Sequence, residues 1–253
     1  MSWFEHDTSR IYYDEHGAGD PVLLLPGFSQ SAEDLSALRD IMAASYRVIS
    51  ADLPGSGRSE PQPRNYTASY YADDAGSFAA LLDHLDIAQA HLVGFSDGGE
   101  VALFMAALTP SVARSVVTWG AAGTLSDPTG QLRQAMYNII DNPIPPLQGY
   151  REFLVATYGE ANARAMTQSV VGAMTAIIEN GGDLSLSKAS DITAPVLLIA
   201  GEHDMFAPPT LLAQSAARVS GAESIVVEGA EHDVQNSHPE WLAQTILDWL
   251  KRH

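Results

Sequence analysis

His91-Leu-Val-Gly-Phe-Ser-Asp-Gly-Gly99 spells out a strand end, a tight turn and a helix start in one short run. The apolar pair Leu92 and Val93 feeds into Gly94-x-Ser96-x-Gly98, and the helix-compatible stretch Glu100 to Leu108 follows at once. A serine centred on a strand-to-helix turn is the arrangement of a nucleophile elbow, in which the hydroxyl is lifted clear of the backbone. The flanking glycines leave room where strand and helix nearly collide, so Ser96 is expected at the tip in a strained conformation. The competing description is a glycine-rich turn whose serine caps the next helix. The apolar run before it and the helical run after it favour the elbow.

On both sides of this turn, short apolar runs alternate with helical patterns. Arg10 to Tyr13 is expected as an early strand, and Val22-Leu-Leu-Leu25 as a strand buried on both faces of a parallel sheet. A helix is expected to begin near Ser31, where Glu33 and Asp34 favour the positive end of the helix dipole. Tyr46 to Ser50 is the next strand, and it ends in the breaker-rich loop Asp52-Leu-Pro-Gly-Ser-Gly-Arg-Ser59. Tyr71, Ala75, Phe78, Leu82 and Leu85 recur at helical spacing. Beyond the elbow come strands at Ser115–Trp119, Val196–Ile199 and Ser224–Val227, with helices at Leu211–Val219 and Pro239–Lys251. Pro239 suits a first helical turn, where its missing N–H costs least, and His238 before it is a candidate cap. Strands alternating with helices imply an α/β protein with a mostly parallel, doubly wound sheet. From about Gly123 to Ser190 the β runs vanish and helical patterns dominate, interrupted by Asp141-Asn-Pro-Ile-Pro-Pro146. Residues 1–122 and 191–253 are therefore expected to form the core, and residues 123–190 a helical cap inserted over the site.

The 253-residue chain is long enough for one such domain with a large core. It has no 18-residue apolar run and no apolar segment among its first charged residues, so neither a membrane span nor a signal peptide is expected, and the cytoplasm is the expected location. No cysteine is present, which excludes disulfides, thiol nucleophiles and cysteine metal sites. The net charge of −18 opposes binding to nucleic acid and to anionic membranes. Compositional bias and salt adaptation account for such a charge in the ordinary way; steering of cationic substrates is a third account. No compact His/Asp/Glu cluster with metal-ligand spacing is evident, so neither metal nor cofactor is expected. The partner is a small molecule, and the oligomeric state is open.

A serine hydroxyl needs a base within hydrogen-bond reach, and the base needs a carboxylate to hold its tautomer. On a fold of this kind the order is Ser, Asp or Glu, His, at the carboxyl ends of successive strands. Asp204 follows strand Val196–Ile199 and His232 follows strand Ser224–Val227, so both fit, with Glu202 the rival to Asp204. The other histidines lie near the ends, on a helix or at the wrong point in the order. Backbone N–H groups supply an oxyanion hole without reorganisation. Asp97, next after Ser96, offers one, and Phe28 after Pro26-Gly27 offers the other, unless Phe28 is a simple hydrophobic lid.

Pro26-Gly-Phe28, Asp52 to Ser59, Gly94-Phe-Ser-Asp-Gly-Gly99, Gly201-Glu-His-Asp204 and Gly229-Ala-Glu-His232 together resemble the α/β-hydrolase superfamily over nearly the whole chain. Pro26-Gly27 ahead of the oxyanion residue and Asp97 after the serine resemble its valacyclovir hydrolase (biphenyl hydrolase-like) branch. Val117-Thr-Trp-Gly-Ala121 and Tyr158-Gly159 are similar to that branch too, while Phe95 stands where the branch has tryptophan. The resemblance implies a cofactor-independent serine hydrolase of small carboxylic esters. It further implies that Asp97 holds the ammonium of α-amino-acid esters; the alternative for Asp97 is a helix-end residue. Perhydrolysis, lactone or C–C bond hydrolysis and acyl transfer use the same site, and a non-catalytic receptor of the same fold is the reading from another class.

Overall fold

The computed structural model describes residues 2–253. Eight strands form one sheet in the order β1-β2-β4-β3-β5-β6-β7-β8. They are β1 (Ser2–His6), β2 (Ser9–His16), β3 (Pro21–Leu25), β4 (Arg47–Ala51), β5 (Ala90–Phe95), β6 (Ala113–Trp119), β7 (Val196–Gly201) and β8 (Glu223–Val227). Every pairing from β4 to β8 is parallel, and β2 runs against its neighbours. The four strands from β3 through β7 in the sheet's centre are almost wholly buried. This is why they read as unbroken apolar runs rather than as alternating patterns.

Helices cover both faces. α1 (Ser36–Ala43) and, after the single turn α8 (Val234–Ser237), α9 (Pro239–Arg252) bury Leu38, Met42, Ile246 and Trp249 against one face. α2 (Tyr70–His84), α3 (Asp97–Leu108) and α7 (Pro209–Arg218) bury Phe78, Leu81, Val101, Met105 and Leu212 against the other. Each large apolar side chain so buried is worth roughly 1.5–3 kcal/mol relative to exposure. After β3 the chain turns to β4 on one side, and β5 then lies on the opposite side of β3. The loops leaving β3 and β5 therefore diverge at a topological switch point, where open α/β sheets form their binding crevice.

Between β6 and β7 lie α4 (Gln131–Tyr137), α5 (Gln148–Tyr158) and α6 (Glu160–Glu179). Both ends of this insertion are tied at one residue: the Gly123 carbonyl accepts the N–H groups of Leu184 (3.1 Å) and Leu186 (3.2 Å).

Several local expectations need correction. The hairpin strand β1 was not anticipated; it is a half-exposed edge whose alternating pattern holds too few apolar residues to stand out. The chain after Ser31 first makes a 3₁₀ turn, Ala32–Leu35, because the Asp34 carboxylate binds back to the Ser31 N–H (2.7 Å); the α-helix starts only at Ser36. His238 precedes α9 without a side-chain cap, its Nδ1 turned to Ser237 Oγ instead.

Candidate active site

Ser96 sits between β5 and α3 with φ 49° and ψ −118°, a conformation outside the regions that L-residues normally adopt. Such strain costs of order 1–3 kcal/mol and persists only where the surroundings enforce it. Here they do. The Ser96 N–H donates to the Trp119 carbonyl (2.8 Å), the Ser96 carbonyl accepts from Glu100 N–H (3.0 Å), and Gly98 packs so tightly on Leu25 and Pro26 that a Cβ there would collide with both backbones.

His232 and Asp204 arrive from the loops after β8 and β7. Asp204 accepts from His232 Nδ1–H, with both carboxylate oxygens 2.9 Å from the nitrogen, and His232 Nε2 lies 3.0 Å from Ser96 Oγ. Asp204 Oδ1 also accepts the N–H groups of Phe206 (2.8 Å) and Ala207 (2.9 Å). Burial alone would raise the Asp204 pKa, but the His232 bond and charge and these two amides outweigh it and hold the carboxyl below its ordinary range. Glu202, the rival acid, is exposed and accepts from the Gly229 N–H (2.9 Å) instead. The imidazole is clasped between Phe95 and Phe206, with ring centroids 5.0 and 4.8 Å away. Gly120, at φ +68°, makes room for it: a Cβ there would stand 2.7 Å from His232 Cε1.

The loop after β3 closes against the elbow, since a Cβ on Gly27 would lie 3.2 Å from that of Ser96. Phe28 N–H has no partner among the described residues. Asp97 N–H opens α3, where amides have no partner inside the helix. Ser29, next to Phe28, is buried at φ +64° and is held at three atoms. Its N–H donates to Ser56 Oγ (3.0 Å), its carbonyl accepts the Tyr158 hydroxyl (2.6 Å), and its hydroxyl bonds Tyr150 Oη (2.9 Å). Tyr158 Oη accepts the Gly57 N–H as well (2.7 Å). Helix α5 of the insertion is thereby fastened to the loop that carries Phe28.

A cavity of about 90 Å³ lies beside Ser96, with apolar walls from Ala122, Leu125, Met136, Val171, Met174 and Phe206. Two carboxyls one helical turn apart, Asp97 and Glu100, also line it. Asp97 accepts the hydroxyls of Tyr71 (2.9 Å) and Tyr70 (3.3 Å), both phenols being kept protonated by burial. Burial nevertheless pushes Asp97 up to about 6, against the pull of those hydroxyls, His232 and Arg64. Glu100 Oε1 accepts the N–H groups of Ala122 (2.9 Å) and Gly123 (2.8 Å). Burial, reinforced by the Asp97 charge, pushes Glu100 up to about 7.

The structure thus brings Ser96, Asp204 and His232 into one hydrogen-bonded chain and sets Phe28 and Asp97 beside it. Of the aromatic and methionine residues in the insertion, Met136 and Met174 reach the cavity, Tyr150 and Tyr158 reach Ser29, and Tyr137 faces solvent. Sequence reasoning passed over Glu100, although a carboxylate opening an otherwise apolar helix, one turn from Asp97, was a readable signal.

Comparison with known proteins places the chain. The model of the alpha/beta hydrolase family matches residues 22–245. The serine hydrolase BPHL of Homo sapiens is 28% identical over 208 residues, 79% of this chain and 68% of that protein. A non-heme chloroperoxidase of Streptomyces lividans is 29% identical over 272 aligned residues, 97% of each chain. Among solved structures, the enol-lactonase of Burkholderia xenovorans LB400 superposes with a TM-score of 0.79 at 20% identity, over 99% of this chain and 100% of that one. The chain belongs to the alpha/beta hydrolase family, and within it is similar to the branch of the serine hydrolase BPHL.

Proposed function

We propose that the chain is a serine hydrolase of small carboxylic esters, α-amino-acid esters foremost, with Ser96, His232 and Asp204 as its catalytic triad. The observation that carries this reading is the unbroken hydrogen-bond chain from Asp204 through His232 to Ser96 Oγ. With Asp204 accepting the Nδ1 proton, the lone pair of Nε2 faces the serine hydroxyl. Ser96 Oγ attacks the ester carbonyl while Nε2 takes its proton, and the N–H groups of Phe28 and Asp97 receive the oxyanion. The imidazolium returns that proton to the departing alcohol. Water, deprotonated by the same nitrogen, then attacks the acyl-enzyme, and the imidazolium returns the proton to Ser96 Oγ as its bond to the acyl carbon breaks and the acid leaves. Losing one oxyanion donor in sites of this type costs roughly 3–4 kcal/mol.

The small cavity favours short acyl chains, and the carboxyl of Asp97 favours those that carry an ammonium. At about 4 Å an ammonium gains roughly 4 kcal/mol from such a carboxylate before desolvation. The overall charge of −18 adds a field that gathers cations. Residues 123–190 act in this reading as a lid that sets acyl and alcohol preference.

The test is kcat/KM for an L-amino-acid benzyl ester and its des-amino analogue, with the unaltered protein and with Ser96→Ala. A preference for the amino ester, abolished with all other turnover in Ser96→Ala, supports the reading. Turnover surviving in that variant sinks the triad, and equal rates on both esters sink the amino-ester preference. The chloroperoxidase relative favours a second reading, in which hydrogen peroxide replaces water as acyl acceptor; peracid formation from a simple ester and peroxide tests it.

A further inference from the structure

We infer that Glu100 is a second substrate-binding carboxylate, sharing with Asp97 the primary ammonium of an amino-acyl substrate. This rests on the amino-ester reading and adds a residue that the reading does not contain.

The two carboxyls differ in what they already hold. Both oxygens of Asp97 accept a tyrosine hydroxyl. Glu100 is 96% buried, given its 4% exposure, and only its Oε1 is engaged, by the amides of Ala122 and Gly123. Its Oε2 has no hydrogen-bond partner, although the side chain lines the cavity beside Ser96. A buried acceptor left in this state is destabilising, the more so when it is charged. Native structures rarely leave such a group bare: an ordered water, an ion or a bound ligand completes it.

The chemistry of the missing partner follows from the surrounding charges. Asp97 and Glu100 stand one turn apart on the same face of α3, so their Cβ atoms are about 5–6 Å apart. The cations nearby are already committed. Arg64 is locked to Asp74 by two bonds of 2.7 and 2.6 Å, and Arg133, on the cavity wall, is paired with Asp127 at 3.2 Å. A pair of carboxyls raised to about 6 and about 7 lacks a cation between them, and each would be relieved by one. A primary ammonium has three donors. One can go to Asp97, one to Glu100 Oε2, and the third is free for water or the substrate's own oxygen. A hydroxyl or a single N–H cannot serve both.

The experiment measures kcat/KM for L-alanine benzyl ester and benzyl propanoate with the unaltered protein, Glu100→Gln and Asp97→Asn. Glutamine retains a carbonyl oxygen for the amides of Ala122 and Gly123 and puts an N–H₂ where Oε2 stands, so it spares the turn and removes only the acceptor. The alanine-to-propanoate ratio is expected to fall about 10- to 100-fold in Glu100→Gln, the range for losing a hydrogen bond to a charged group. Glu100→Leu is the second variant, and circular dichroism with thermal melting establishes folding for each. A folded Gln or Leu variant with an undiminished ratio overturns the shared seat. If the preference survives there but collapses in Asp97→Asn, the amino-ester reading stands on Asp97 alone. If the unaltered protein shows no preference, the amino-ester reading falls, and the Glu100 seat with it.

Discussion

Replacing Tyr158 with phenylalanine isolates the tie between the insertion and the proposed oxyanion hole. The ring is kept and only the hydroxyl is lost. That hydroxyl donates to the buried Ser29 carbonyl at 2.6 Å and accepts from Gly57 N–H at 2.7 Å, so two backbone groups lose their partner together. Leaving a buried group unpaired costs about 1–3 kcal/mol. Gly57 is partly exposed and regains water, so the total is expected near 2–3 kcal/mol, by the same range. Ser29, at φ +64°, then keeps only its bonds to Ser56 and Tyr150 and relaxes, carrying the neighbouring Phe28 N–H off its aim. Complete loss of that donor sets a ceiling of about 100- to 1,000-fold on kcat. A shifted but present donor is expected to cost about tenfold, roughly 1.4 kcal/mol in the barrier. The assay is stopped-flow acylation by p-nitrophenyl acetate alongside steady-state kcat and KM. The expected signature is slower acylation with KM changed little, and a smaller effect in Tyr150→Phe. A lowered melting temperature with unchanged acylation would refute the reasoning and leave Tyr158 a packing tie.

Two further outcomes follow from local geometry. Gly120→Ala places a methyl 2.7 Å from His232 Cε1 on a backbone at φ +68°, so kcat should fall at least tenfold, about 1.4 kcal/mol of barrier; crystallography should show the imidazole displaced, and an unmoved ring with normal kcat would contradict it. The folded-state pKa of Glu100, about 7 against an ordinary 4.5, means that its contribution to stability is fully present below about 4.5 and is lost as pH rises through about 7. Urea unfolding of Glu100→Gln minus the unaltered protein should therefore gain about 3 kcal/mol between pH 4 and pH 8, and a pH-independent difference would show that Glu100 ionises normally.

The centre of the molecule was legible for a physical reason. Strands β3, β5, β6 and β7 are buried on both faces, so burial wrote itself as runs such as Val22–Leu25 and Val196–Ile199. The loops holding Ser96, Asp204 and His232 were legible because each follows such a run directly. The edge hairpin β1–β2 was only half legible, since a strand with one wet face and polar turn residues carries little apolar signal. Contacts made across the chain were not legible at all. Nothing local to Ser29 announces Tyr158, 129 residues away, and nothing in Tyr70 or Tyr71 announces Asp97. Such pairs exist only once the sheet has brought distant loops to one end.

The two ends of the helical insertion meet at Gly123, whose carbonyl takes the amides of Leu184 and Leu186. A segment whose ends already touch spans no distance in the host sheet. Exchanging it for a longer or shorter piece therefore demands no adjustment of β6 or β7, and lengthening the excursion costs only slowly growing closure entropy, about 0.6 kcal/mol for each doubling. The junction makes the segment replaceable at its ends, provided that the new piece supplies Ser29 with the hydroxyls that Tyr150 and Tyr158 now give it. A graft at residues 123 and 184 should alter what reaches Ser96 while Asp204 and His232, on loops outside the exchanged piece, keep their place.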